Sequence, residues 1–98
     1  MASPDSRSLA KKYEEEARER GFKQVFTWTD SPDAYYPPHS HRELTTHLIV
    51  QGQFTISYPQ DPNPTRATFG PGVCVDVDAG RLHEVWIGEE GCTYVIGE

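Results

Sequence analysis

The sequence predicts an all-β sandwich or barrel with one N-terminal α-helix in front of it. Beyond residue 21 the apolar residues alternate with a period of two in short runs, as half-buried strands do. Clusters of glycine, proline and aspartate close each run after a few residues. The stretches between runs leave no room for a βαβ crossover, which leaves sandwich and barrel architectures.

The helical pattern covers residues 4–20. Ser3 serves as N-cap, Pro4 takes the first helical position and Gly21 supplies a left-handed stop. Leu9, Tyr13 and Ala17 form a narrow apolar stripe, and Glu14–Arg18 and Glu16–Arg20 stand in the favourable i, i+4 order. A helix this charged is expected to pack on the outside of the domain and to do no chemistry.

Strands follow. Phe22, Gln24, Phe26 and Trp28 fall on one face of an extended run, with Lys23, Val25 and Thr27 on the other. Asp30-Ser31-Pro32-Asp33 reads as a turn, Tyr35-Tyr36 as a restart, and Pro37-Pro38 holds the backbone extended into His39. Thr46–Gln51 is a strand that turns at Gly52 into Phe54–Tyr58, and the prolines 59, 62 and 64 mark a loop. Arg66–Phe69 is a short strand before the Gly70-Pro71-Gly72 turn. Val73, Val75 and Val77 alternate with Cys74, Asp76 and Asp78. After a turn at 78–81, Leu82–Ile87 and Cys92–Ile96 close the chain. The expectation is about eight short strands: a helix over 1–21 packed on a barrel over 22–98.

Composition narrows the function. With 98 residues, 9 basic against 15 acidic, the net charge is −6. Nucleic acid and anionic membrane surfaces are poor partners for that balance. No apolar run approaches the length of a membrane span, and the first residues lack the apolar core of a signal peptide, so a soluble cytoplasmic protein is expected. Two cysteines, Cys74 and Cys92, make no disulfide framework and read as small buried thiols within strands.

The four histidines point to a divalent metal. His39, His41 and His47 lie within nine residues, and His83 follows in the later glycine-punctuated region. Residues two apart on an extended chain share a side, so His39 and His41 present two imidazoles to one point. In unbroken register Glu43, Thr45 and His47 share that side, while Leu48 and Val50 face away. His83 shares its face with Val85 and Ile87. Converging neutral imidazoles suit iron, manganese, zinc, nickel or copper rather than calcium or magnesium. Phe26, Trp28, Tyr36, Phe54 and Trp86 are the candidate walls of a substrate pocket. Asp76 would accept a histidine N–H if its strand face turned inward.

These residues resemble the two motifs of the cupin superfamily, G-x5-H-x-H-x3,4-E-x6-G and G-x5-P-x-G-x2-H-x3-N. The first runs through His39-Ser40-His41 to Gly52. The second runs from Gly72 through Asp78, in the proline position, and Gly80 to His83. Thr45 stands where the motif has its glutamate ligand, Asp33 where it has its first glycine, and Ile87 where it has its asparagine. The resemblance implies a small jelly-roll β-barrel, often a homodimer, with one divalent transition metal at its centre. It places His39, His41 and His83 on that metal. His47 is a fourth ligand or an acid/base group beside it. The function so implied is a metalloenzyme acting on a small organic substrate, dioxygenase-like or a lyase or isomerase. The alternative is a non-catalytic barrel that binds or senses a small ligand.

Overall fold

The computed structural model describes residues 6–98, so Ser3 and Pro4 lie outside the described residues. Helix α1 spans Ser6–Glu19. It ends where the sequence places its stop: Gly21 has φ 99°, its N–H donates to the Arg18 carbonyl at 3.0 Å, and the Phe22 N–H donates to Ala17 at 3.2 Å. That pair of bonds satisfies carbonyls the helix end would leave open. Phe22 therefore packs under the helix and does not share a face with Phe26 and Trp28.

Six strands follow: β1 Val25–Asp30, β2 Tyr35–His39, β3 Thr45–Ser57, β4 Ala67–Phe69, β5 Cys74–Val77 and β6 His83–Gly97. All pairings are antiparallel. The long strands β3 and β6 pair with each other at the centre. Strands β1 and β2 flank the two ends of β6, and β5 and β4 flank the two ends of β3. Six strands replace the expected eight because Gly52 and the 88–91 segment do not end strands. They bend strands that continue.

The bend explains how one inner face survives along both long strands. In β3 the inward residues are His47 and Ile49, then Phe54 and Ile56; in β6 they are Val85 and Ile87, then Cys92 and Tyr94. Each series changes parity once, and the β3–β6 register shifts between Ile49 and Gln51 and between Gly52 and Phe54. Such slips turn side chains to the other face, and because they occur on both strands together the apolar faces stay aligned. Glycine is required there. A Cβ on Gly52 (φ 88°) would lie 2.1 Å from the Gly91 carbonyl oxygen, and one on Gly91 (φ 80°) would lie 2.8 Å from that of Asp30.

The sheet thus encloses an inner core of Ile49, Phe54, Ile56, Val75, Val77, Val85, Ile87, Cys92 and Tyr94. Its outer face, through Leu48, Val50 and Val95, meets Ala10 and Ala17 of α1. The expected Glu14–Arg18 pair is present at 3.9 Å. Arg20 does not pair with Glu16; it reaches the sheet, where its guanidinium grips both oxygens of Asp76 at 3.2 and 2.8 Å and donates to Thr46 Oγ1. Burial alone would raise the Asp76 carboxyl, but hydrogen bonds from Arg20, Thr46 and Cys74 overcome it and hold the pKa below the usual carboxylate value. Asp76 and Cys74 therefore face outward. The expectation of two buried thiols holds for Cys92 and fails for Cys74, which is exposed. Among the described residues no helix is long and apolar enough to cross a membrane.

Candidate metal centre and cavity

Three histidines converge at one end of the inner face. His39 ends β2, and its register partner across the ladder is His83, the first residue of β6. The β2–β6 register is irregular between Tyr36 and His39, over Pro37-Pro38, since proline donates nothing to a ladder. His41 follows in the loop, which is tied down where the Gly80 N–H donates to the His41 carbonyl at 2.8 Å. The turn of the second motif thus fastens the histidine pair of the first. Ring centroids lie 4.2 Å apart for His39–His83, 5.0 Å for His39–His41 and 5.1 Å for His41–His83. One potential ligand atom from each falls within 4.8 Å of the others.

The protonation pattern suits a metal. Nδ1 of His39 contacts the Pro37 carbonyl at 2.7 Å, and Nδ1 of His83 contacts that of Arg81 at 2.9 Å. A carbonyl accepts only, so each Nδ1 carries the proton and each Nε2 keeps its lone pair for a ligand bond. Burial, reinforced by the neighbouring rings, lowers the His83 and His41 pKa values and favours neutral imidazoles. The donor set fits one first-row dication. Backbone carbonyls, and not Asp76, fix the histidine tautomers.

His47 stands outside this group of three. It is 7% exposed on β3, its Nδ1 donates to the Val75 carbonyl at 3.1 Å, and its ring lies 5.1 Å from Phe54 and 5.9 Å from Tyr94. Burial pushes its pKa down to about 4. Glu43 does not share the inward side, because the chain leaves extended register between β2 and β3; it is exposed. Thr45, at the motif glutamate position, is buried and lines the cavity. Asp33, at the motif's first glycine, keeps a positive φ of 61°, a conformation aspartate tolerates better than most residues.

A cavity of about 280 Å³ opens from the three histidines. Beyond them it is lined by Thr45, His47 and Val85 and by the aromatic rings of Phe26, Trp28, Tyr36, Phe54 and Tyr94. Four of the five expected pocket aromatics therefore line it. Trp86 does not: it lies between the inward Val85 and Ile87 and so points out of the barrel, where Arg66 stacks on it at 3.9 Å and Tyr35 lies 5.8 Å away. Asp30, which the sequence places in a turn, is instead the buried last residue of β1. It is 6% exposed and accepts hydrogen bonds from Trp28 Nε1 (2.8 Å), the Tyr94 hydroxyl (2.6 Å) and the Tyr36 hydroxyl. An aspartate at a strand end before Ser-Pro carries no signal separating a turn from a buried acceptor.

No protein-family model matches the sequence, and no curated protein matches it. Solved structures do. A cupin superfamily protein of Desulfitobacterium hafniense is 16% identical with a TM-score of 0.59, the match covering 78% of each chain. The CENP-C cupin domain of Drosophila melanogaster is 9% identical at a TM-score of 0.65, over 76% of this chain and 59% of that one. A polyketide cyclase of Streptomyces resistomycificus is 20% identical at 0.61, over 74% and 50%. The chain spans less than two thirds of the length of the latter two. These likenesses, with the six-stranded sheet and single helix, show a cupin fold.

Proposed function

We propose that this cupin binds one divalent transition metal through His39, His41 and His83 and acts on a small organic molecule held in the adjoining cavity. The convergence of the three imidazoles, two with Nδ1 committed to a carbonyl, carries the reading. A bound dication supplies Lewis acidity, and neutral imidazoles leave its charge to be balanced by an anionic oxygen of the ligand. The chain's own part is to bind and orient. Phe26, Trp28 and Phe54 take a planar apolar body, and neutral His47 offers Nε2 as an acceptor beside the trio. The reaction class we infer is dioxygenase-like oxygenation, or lyase or isomerase chemistry on an oxygen-chelating substrate. Among the described residues β1 pairs with β6 alone, and an open edge on its other side favours a homodimer.

A second reading, a non-catalytic ligand-binding barrel, draws on two observations. Glu98 is the one carboxylate lining the cavity among the described residues, and His47 at about 4 is a weak base. The two readings part in one experiment. Protein loaded with each metal is mixed with a β-diketone, a thiol or a catechol, following oxygen uptake and product. Turnover lost in His83→Ala supports the enzyme. Retention without turnover supports the binder, and neither binding nor turnover contradicts both.

A further inference from the structure

Asp30 gathers three donors from three strands' worth of cavity wall. Trp28 and Asp30 lie on β1, Tyr36 on β2 and Tyr94 on β6, and Trp28 and Tyr94 are register partners. The three aromatic residues line the cavity; Asp30 stands behind them and does not. All three bonds arrive at Asp30 as donors: Trp28 Nε1 and the Tyr36 hydroxyl on Oδ1, the Tyr94 hydroxyl on Oδ2. A phenol has one proton to give. With that proton held by Asp30, each tyrosine oxygen retains only lone pairs for anything else it meets. Burial and the Asp30 bond both raise the Tyr36 and Tyr94 pKa values, so the oxygens stay neutral acceptors. The wall is also preorganised, because charge-assisted bonds fix the rings before any ligand arrives.

We propose that Asp30 is a specificity-determining positioning residue: by holding the protons of Tyr36 and Tyr94 it makes the cavity select small planar ligands that carry a hydroxyl or amino donor. This rests on the cavity being the ligand site, as proposed above, but it does not require the metal. A ligand with only an acceptor at that edge meets acceptor against acceptor. It also forfeits its own bond to water without a replacement, which is how such sites reject analogues.

The test uses metal-free protein carrying Trp86→Phe, so that the fluorescence of Trp28 alone reports binding of phenol or of anisole, its methyl ether. The expected result is that phenol binds about five- to tenfold tighter than anisole, the size of one net hydrogen bond. In Asp30→Asn the amide N–H₂ donates to a tyrosine oxygen and releases that hydroxyl's proton toward the cavity, so the preference falls toward one. If the histidine nitrogens were the acceptors, Asp30→Asn would leave the preference unchanged and His83→Ala would remove it; that overturns the proposal. Equal binding of the two probes, or no binding of either, overturns it as well. Should Asp30→Asn fail to fold, nuclear Overhauser contacts in the unmodified protein decide. Contacts from phenol to the Tyr36 and Tyr94 rings support the proposal, and contacts confined to the histidines contradict it. Loss of metal binding with the phenol preference intact would remove the metal reading and leave this one standing.

Discussion

His47 shows what burial does to a single side chain here. Its pKa is about 4 against 6.5 for the free side chain, so the unfolded chain takes up a proton that the folded one refuses. The stabilisation is therefore complete above pH 6.5 and is lost as pH falls toward 4, on the order of 3 kcal/mol in all. His41 and His83 are shifted in the same direction, so their contributions have the same sign. Urea unfolding between pH 7 and 4 should show this loss, and a His47→Gln variant a shallower one. The thiols make a second prediction at this scale. Cys92 is 2% exposed and burial pushes it up to about 11, whereas Cys74 is exposed. A thiol reagent at pH 8 should titrate one thiol in the native protein and two in denaturant. The parity of Val73 to Asp78 gave the alternation of this strand. Which face meets the helix was not legible, because it depends on Arg20 reaching Asp76 across 56 positions of sequence.

Among the elements, the paired bends in β3 and β6 hold the barrel together. Gly52→Ala forces a Cβ against the Gly91 carbonyl as well as a residue with a side chain into positive φ. It should cost about 3 kcal/mol or more, or prevent folding. Gly21→Ala, also at positive φ but with nothing within 4 Å, should cost about 1 kcal/mol. Denaturant midpoints of the two variants make the comparison. The glycines themselves were plain in the sequence, and reading them as turns was natural, since glycine supplies positive φ at turns and bulges alike. Telling a bend in a continuing ladder from a hairpin end needs the partner strand. For Gly52 that partner is Cys92, next to Gly91 and forty positions away.

On the scale of the whole molecule, the fold brings His39 and His41 from one motif onto His83 from the other across the β2–β6 ladder. That convergence was legible because the two motifs keep their spacing around Gly52, Gly72 and Gly80 even where Asp33, Thr45 and Ile87 depart from the pattern. Asp30 and the outward turn of Trp86 were not, since both depend on packing that periodicity does not encode. A ligand that binds only the folded state stabilises it, so zinc at a hundredfold excess over its dissociation constant should add about 2.7 kcal/mol. The melting temperature should rise accordingly, and the rise should vanish in His39→Ala. The most direct measurement is elemental mass spectrometry of untagged protein beside His83→Ala. Near-stoichiometric iron, manganese, zinc, nickel or copper in the parent and none in the variant is the predicted result. A parent that stays empty after incubation with each of these metals would contradict the metal centre and leave a ligand-binding barrel.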